Sequence, residues 1–272
     1  MKLLINSLPK SGTNMVQKCV ELASIPYSGK SLAASSAFGR YALAKRIMRS
    51  PRFGEVPVPI GLEVPVAVSP TWIKSYLASA NGYVSGHASY SEHLNFLLQE
   101  VGCKVVQVVR HPCAVLSSWV NYIAEPGYYW SEAHQYLADK PFEERVRFML
   151  HGGGFGGEGS LYYGGFKDVL LQVQGWLDAV DVLTVRYEDI VGEMGGGDNV
   201  KQLQVISDVL QHIGIDADSR FIETISSKLY GGTHTFRKGS VGGWRNLVGS
   251  SLEDEIMTEL ADLPFMKRVN YL

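Results

Sequence analysis

Apolar residues along this chain alternate between short β-branched runs and longer stretches with helical spacing. Residues 3–5 form the first apolar run. After a turn at residues 9–13, Met15 and Cys19 fall on one helical stripe. Thr13 is the expected N-cap of that helix, because its hydroxyl could accept from the first free backbone N–H groups. The chain therefore opens as a strand, a tight loop and a helix.

The same unit recurs further along the chain. Residues 105–109 read Val-Val-Gln-Val-Val, a run typical of a buried parallel strand, and they lead through Arg110 into a helical stretch at 114–123. A third run, at residues 182–185, ends at Arg186. Other stretches with helical periodicity are 92–101, 166–177, 200–213 and 252–260. This alternation predicts an α/β fold with a central parallel sheet flanked by helices, and ligands at the carboxyl ends of its strands.

Two stretches interrupt the alternation. Residues 50–70 contain five prolines, which suits an irregular cap, and the glycine-rich residues 151–165 predict a mobile loop. No repeat or linker divides the chain. We therefore expect one domain spanning residues 1–272.

Charge and cysteine content narrow the classes of function. A net charge of −2 gives no overall cationic field, which argues against binding nucleic acid or an anionic membrane, so any anion site must be built locally. Cys19, Cys103 and Cys113 show no CxxC spacing, so neither a disulfide framework nor a zinc site is indicated. No apolar run reaches the length of a membrane span. We expect a cytoplasmic protein.

The loop between the first strand and the first helix has the composition of a phosphate cradle. Lys10, Ser11, Gly12, Thr13 and Asn14 combine a positive charge, two hydroxyl donors and the backbone N–H groups of a helix N-terminus. The lysine precedes the glycine, whereas in the Walker pattern it follows the glycine, so an ordinary NTPase is disfavoured. On its own, the string is equally compatible with a plain turn before a capped helix.

A second candidate anion site follows the strand at 105–109. Arg110 stands at the strand end, and Ser118 lies eight residues later, about two helical turns away. A guanidinium and a hydroxyl in this arrangement could grip one phosphate from two sides. Taken alone, an Arg-x-Pro sequence at a strand end has only a role in the fold at least as often as it binds a phosphate.

These segments resemble the motifs of the sulfotransferases that use 3'-phosphoadenosine 5'-phosphosulfate (PAPS). The first loop is similar to the family's 5'-phosphosulfate loop, and Arg110 with Ser118 is similar to its 3'-phosphate motif. Residues 236–245 resemble the segment that closes over the 3'-phosphate. In that segment the matching residues are Arg237, Lys238 and Gly239. The resemblance implies PAPS as co-substrate, 3'-phosphoadenosine 5'-phosphate (PAP) as product, and transfer without a metal ion.

Further site residues are implied by the same resemblance. Tyr187, in the string Arg-Tyr-Glu-Asp, matches a residue that contacts the adenine, and Ser227 is a second expected contact to the base. His87, at a predicted strand end, matches the general base. An imidazole with a pKa near 6.5 can accept a proton from an acceptor hydroxyl at neutral pH. Lys10 would stabilise the charge that develops on the bridging oxygen, and His93 is the reserve base.

The chain departs from the family pattern at three positions. Met15 stands where other members often carry a tryptophan that stacks on adenine. Ser85 replaces a lysine two residues before the base histidine, and Gly243 replaces an aspartate before the tryptophan. These changes keep open a non-catalytic nucleotide-binding relative. A P-loop kinase is the other alternative, since it shares the strand, loop and helix.

The acceptor and the oligomeric state are open. A small molecule, a lipid, a sugar or a carrier-bound chain would suit the aromatic residues expected in the acceptor pocket and its lids. Those residues are Phe38, Tyr41, Phe53, Trp72, Tyr76, Tyr122, Tyr128, Tyr129 and Trp130.

Overall fold

The structure is a computed structural model that describes residues 2–33, 49–62, 65–127, 131–155, 161–231 and 240–272. Its strands, in chain order, are β1 (Lys2–Ser7), β2 (Tyr27–Leu32), β3 (Val58–Ile60), β4 (Val66–Val68), β5 (Gly82–Gly86), β6 (Cys103–Val109), β7 (Gly153–Phe155), β8 (Leu161–Tyr163) and β9 (Val182–Arg186). Its α-helices are α1 (Thr13–Leu22), α2 (Pro70–Ala78), α3 (Glu92–Glu100), α4 (Pro112–Ile123), α5 (Ser131–Leu137), α6 (Phe142–His151), α7 (Phe166–Gln174), α8 (Tyr187–Ile190), α9 (Asn199–His212), α10 (Ser219–Leu229), α11 (Arg245–Leu260) and α12 (Pro264–Arg268).

Five parallel strands form the central sheet, in the order β2-β5-β1-β6-β9. β1 and β6 are apolar on both faces because helices cover both faces of the sheet. Leu3 and Ile5 pack with α1, α9 and α10 on one face, whereas Leu4 packs on the other face with α2, α3, α4 and α7. The predicted α/β fold with a parallel sheet flanked by helices is confirmed.

The strand order places three loops at one edge of the sheet. β1 lies between β5 and β6, so the chain must cross β1 after it leaves β5. The loops that follow β1, β5 and β6 therefore meet at the carboxyl edge. A switch point of this kind is where open parallel α/β sheets bind their ligands.

The cap of the first helix differs from the prediction. The N-cap of α1 is Gly12, with φ of 90°, and Thr13 is the first helical residue. The left-handed conformation suits glycine because it has no Cβ. The Thr13 hydroxyl instead shares a hydrogen bond with the Ser7 hydroxyl, so the predicted Thr13 cap was wrong.

The two stretches that interrupted the alternation contain short antiparallel hairpins. β3 pairs with β4 inside the proline-rich region. β7 pairs with β8 inside the glycine-rich region, where a loop without strands was expected. The buried Phe155 and Tyr163 explain this difference, because both rings pack against Phe148, with centroids 5.8 and 6.1 Å away.

The helix periodicities at 92–101, 114–123 and 200–213 are confirmed within one to two residues by α3, α4 and α9. The sequence pattern did not reveal β2, α2 or α10. Across the ranges that the structure describes, none of the helices combines the length and apolar character needed to cross a bilayer.

Candidate active site

The loop after β1 is a tight turn that leads into α1. The Ser11 N–H donates to the Leu8 carbonyl at 3.2 Å, and Lys10 adopts a left-handed φ of 67°. Gly12 has no room for a side chain, because a Cβ there would collide with the Tyr187 ring. The loop thus fits against Tyr187, which follows β9, the strand two places from β1 in the sheet.

Arg110 joins this loop to Tyr187. Its Nη1 donates to the Lys10 carbonyl at 3.1 Å, and its guanidinium carbon lies 4.3 Å from the centre of the Tyr187 ring. Burial raises the pKa of Tyr187 to about 12, so its phenol stays neutral. Three predicted site residues from the ends of β1, β6 and β9 are therefore in contact.

Two buried donors in this cluster fit an anionic ligand. Ser11 Oγ and Arg110 Nε are buried, and neither has a hydrogen-bond partner among the residues that the structure describes. Buried polar groups in proteins are nearly always hydrogen-bonded. A phosphate or sulfate group offers several acceptor oxygens of the kind that these two donors match.

The other residues assigned to the nucleotide lie on helices. Asn14 and Ser118 are half-buried on α1 and α4. Ser227 is exposed on α10, where its hydroxyl donates to the Thr224 carbonyl at 2.9 Å. The roles of Asn14, Ser118 and Ser227 stay predictions. Met15, at the position of the family tryptophan, is buried in the core on the α1 face.

The C-terminal motif is described only from Ser240 onward, and Arg237, Lys238 and Gly239 lie outside the described residues. The Trp244 ring stacks on the His111 ring with centroids 4.8 Å apart and an interplanar angle of 17°. His111 directly follows Arg110. The end of the third motif is therefore packed against the strand exit that carries the second.

His87 lies just beyond β5, and its ring is held by the end of β1. Nδ1 is 2.8 Å from the Ser7 carbonyl oxygen and 3.3 Å from Ser7 Oγ. A carbonyl oxygen can only accept, so Nδ1 carries the proton and Nε2 carries the lone pair. Burial lowers the pKa of His87, and the bond to the Ser7 carbonyl offsets part of this shift. The ring is a neutral base at pH 7.

Ser85 occupies the position of the family lysine and is hydrogen-bonded to α1. Gln17 Nε2 donates to Ser85 Oγ at 2.9 Å. A neutral pair of side chains, Ser85 and Gln17, thus stands where the family pattern has a lysine.

The proline-rich region covers the side of the sheet next to His87. Ser89 Oγ donates to the Pro59 carbonyl at 3.2 Å. Trp72 and Tyr76 of α2 stack with centroids 4.4 Å apart, and Phe53 is fully exposed. The remaining aromatic residues predicted for the acceptor side include several outside the described residues: Phe38, Tyr41, Tyr128, Tyr129 and Trp130.

Sequence reasoning missed the polar residues that support the site. Asn6 and Ser7 at the end of β1 and Gln107 inside β6 are buried polar side chains in otherwise apolar strands. A polar residue inside such a run was the available signal. Within the described ranges, no three His, Cys, Asp or Glu side chains are grouped so that they could hold a metal ion. Metal-free transfer stays a prediction.

Comparison with known proteins identifies the class to which this fold and this loop belong. The family model for the sulfotransferase domain matches residues 1–259. The chain therefore belongs to the sulfotransferase family. No curated protein sequence gives a significant match.

Two solved structures illustrate the likeness in fold. Mouse sulfotransferase SULT7A1, solved in complex with PAP, is 15% identical over 100% of this chain and 89% of its own, with a TM-score of 0.60. A retinol dehydratase, solved with androsterone and the inactive cofactor PAP, is 14% identical over 98% of this chain and 80% of its own, with a TM-score of 0.57. At these identities the likeness shows the fold alone.

Proposed function

We propose that this sulfotransferase moves a sulfuryl group from PAPS to an acceptor hydroxyl or similar nucleophile, with His87 as general base. The observation that carries the proposal is the state of the His87 ring. The Ser7 carbonyl fixes the proton on Nδ1, so the basic Nε2 is available at the edge of the sheet that also carries the Lys10 loop. The proposal assigns transfer to the whole chain, residues 1–272, as one domain in the cytoplasm.

The donor site would be built by the loops at the carboxyl edge. Lys10, Ser11, Gly12, Thr13 and Asn14 would hold the 5' end. The unpartnered donors Ser11 Oγ and Arg110 Nε, and the PAP in the titles of both structural neighbours, support this assignment. The residues assigned to the 3'-phosphate and the base are Arg110, Ser118, Tyr187, Ser227, Arg237, Lys238 and Gly239.

Each side chain then has a distinct task. Bound PAPS supplies a sulfuryl group attached to a phosphate that can leave as the S–O bond breaks. His87 takes the acceptor proton at Nε2, and the hydrogen bond from Nδ1 to the Ser7 carbonyl becomes charge-assisted as the ring becomes cationic. Lys10 offsets negative charge on the leaving side. Such a reaction depends mainly on positioning.

The acceptor is a small molecule, a lipid, a sugar or a carrier-bound chain. Retinol dehydratase was solved with androsterone and, in a second structure, with retinol, which supports an apolar alcohol as the first class to test. The stacked Trp72 and Tyr76 near the cap offer apolar surface for such a ligand. No nucleic-acid partner is proposed, and the proposal leaves the oligomeric state open.

Transfer from labelled PAPS to a panel of hydroxyl-bearing acceptors tests the proposal. We expect labelled product with the wild type, a kcat lower by orders of magnitude with His87→Ala, and nearly unchanged PAP affinity in that variant. Products are identified by a mass increase of one SO3 group. A P-loop kinase would instead require ATP, and a non-catalytic relative would bind PAP without transferring label to any acceptor. An unchanged kcat in His87→Ala would remove His87 from the mechanism.

A further inference from the structure

Asn6, near the end of β1, holds the backbone of the residue that follows His87. Its Nδ2 donates to the Ala88 carbonyl at 3.0 Å, and its Oδ1 accepts from the Ala88 N–H at 2.8 Å. One side-chain amide thus satisfies both backbone polar groups of Ala88. Both residues are fully buried, so these bonds are shielded from water.

Two further side chains complete this buried network. Asn6 Nδ2 also donates to Gln107 Oε1 at 2.8 Å, and Trp176 Nε1 donates to the Ala88 carbonyl at 3.0 Å. Asn6 Nδ2 has two hydrogens, so each of its bonds has its own donor. Networks in which every buried polar group has a partner rigidify their surroundings.

The Asn6–Ala88 hydrogen bonds lie where the regular pairing of β1 with β5 ends. Asn6 is opposite Gly86 in the β1–β5 register, and Gly86 is the last residue of β5. Beyond that point His87 N still donates to the Leu32 carbonyl of β2, at 3.1 Å. On the β1 side, the Asn6 side chain instead of the β1 backbone makes the hydrogen bonds to this segment, at Ala88.

Gly86 and Asn6 are also matched in shape. A Cβ on Gly86 would lie 2.8 Å from Asn6 Oδ1, closer than real Cβ atoms approach. Gly86, before His87, therefore leaves room for the Asn6 amide, and Ala88, after His87, is hydrogen-bonded to it.

We propose that Asn6 is a positioning residue for His87. Its amide keeps the turn at Ala88 in place, so that Nδ1 of His87 stays on the Ser7 carbonyl and Nε2 keeps the lone pair. The inference rests on the proposed role of His87 as base. The hydrogen bonds of the Asn6 side chain go to Ala88 and Gln107 and those of the His87 ring to Ser7, so loss of Asn6 should disturb the base without removing a residue assigned to the PAPS site.

Asn6→Ala and Gln107→Ala form a matched pair of test variants. Both create a small buried cavity and both break the Asn6–Gln107 bond, but only Asn6→Ala releases Ala88. Asn6→Ser retains a hydroxyl that can keep one bond to Ala88, and it serves as the milder variant where Asn6→Ala does not fold. The ¹⁵N chemical shifts of the His87 ring report its tautomer independently of activity.

We expect a single Nδ1–H tautomer in the wild type and in Gln107→Ala, and a mixture of both tautomers in the Asn6 variants. The kcat of the Asn6 variants should fall about 10- to 100-fold, as expected for a displaced catalytic group, whereas PAP affinity should not change. A single Nδ1–H tautomer in a folded Asn6 variant, with a kcat equal to that of Gln107→Ala, would overturn the proposal. Should His87→Ala retain full kcat, the proposed function fails, while the tautomer measurement still decides whether Asn6 positions the ring.

Discussion

The ammonium group of Lys10 lies 4.3 Å from the centre of the Tyr122 ring. Lys10 belongs to the loop after β1, and its carbonyl is held by Arg110, so the backbone of the residue is fixed while its side chain reaches α4. A cation–π contact of this kind contributes about 0.5–2 kcal/mol. Lys10 therefore contacts Tyr122, and under the proposed function it would exchange that contact for one with PAPS.

The Tyr122 ring should therefore compete with the donor for Lys10. In Tyr122→Leu the competing contact is lost, and the affinity for PAP should rise about 2- to 10-fold, equivalent to about 0.4–1.4 kcal/mol. Tyr122→Phe keeps an aromatic ring, so its affinity should remain that of the wild type. Isothermal titration calorimetry gives both values, and weaker binding in Tyr122→Leu would contradict the prediction.

Replacement of Gly12 should damage both stability and donor binding. Gly12→Ala places a Cβ against the Tyr187 ring at a φ of 90°, so the ring must move and Arg110 with it. Gly214→Ala is the control, because Gly214 has a similar φ of 77° and open space around its Cβ. We expect the control to cost about 1 kcal/mol of unfolding free energy from backbone strain alone, and Gly12→Ala to cost at least about 1 kcal/mol more.

Denaturant unfolding measures the first effect and calorimetry with PAP the second. The control should leave PAP affinity unchanged. Equal losses of stability in Gly12→Ala and Gly214→Ala would show that the Tyr187 ring does not exclude a side chain at position 12.

The pH dependence of turnover should reveal the lowered pKa of His87. Burial disfavours the imidazolium, so the pKa lies below the ordinary value of 6.5. The base is active when neutral, so kcat/KM, which reports the free enzyme, should fall with decreasing pH around a midpoint below 6.5. A kcat/KM–pH profile checks this, and an acidic limb centred at or above 6.5 would contradict it.

Loss of Arg110 should weaken PAP binding more than loss of an ordinary surface charge. Arg110→Ala removes the bond to the Lys10 carbonyl and a buried donor that suits a phosphate. Charge-assisted bonds of this type contribute about 1.5–3 kcal/mol, or about 10- to 150-fold in affinity. Arg220→Ala removes an exposed guanidinium on α10 and should have no effect. Calorimetric affinities for PAP that are the same in both variants would exclude Arg110 from the donor site.

The sequence by itself determined the main strands, many of the helices and the candidate loop. Val105–Val109 and the helix after Arg110 could be predicted because an apolar run or a 3.6-residue period is a local property of the chain. The motif order also indicated the sulfotransferase family, which the match over residues 1–259 confirms. His87 could be selected because it ends a strand between two candidate phosphate segments.

Only the tertiary structure decided what surrounds these residues. The Tyr187 ring that requires Gly12, the Ser7 carbonyl that fixes the His87 tautomer and the Asn6 amide that grips Ala88 are contacts between residues 80 or more positions apart, or on different strands. No local pattern encodes such pairs, because they depend on the order in which parallel strands assemble. Strand order places β1 between β5 and β6, and that placement brings polar residues scattered along the chain to one edge of the sheet.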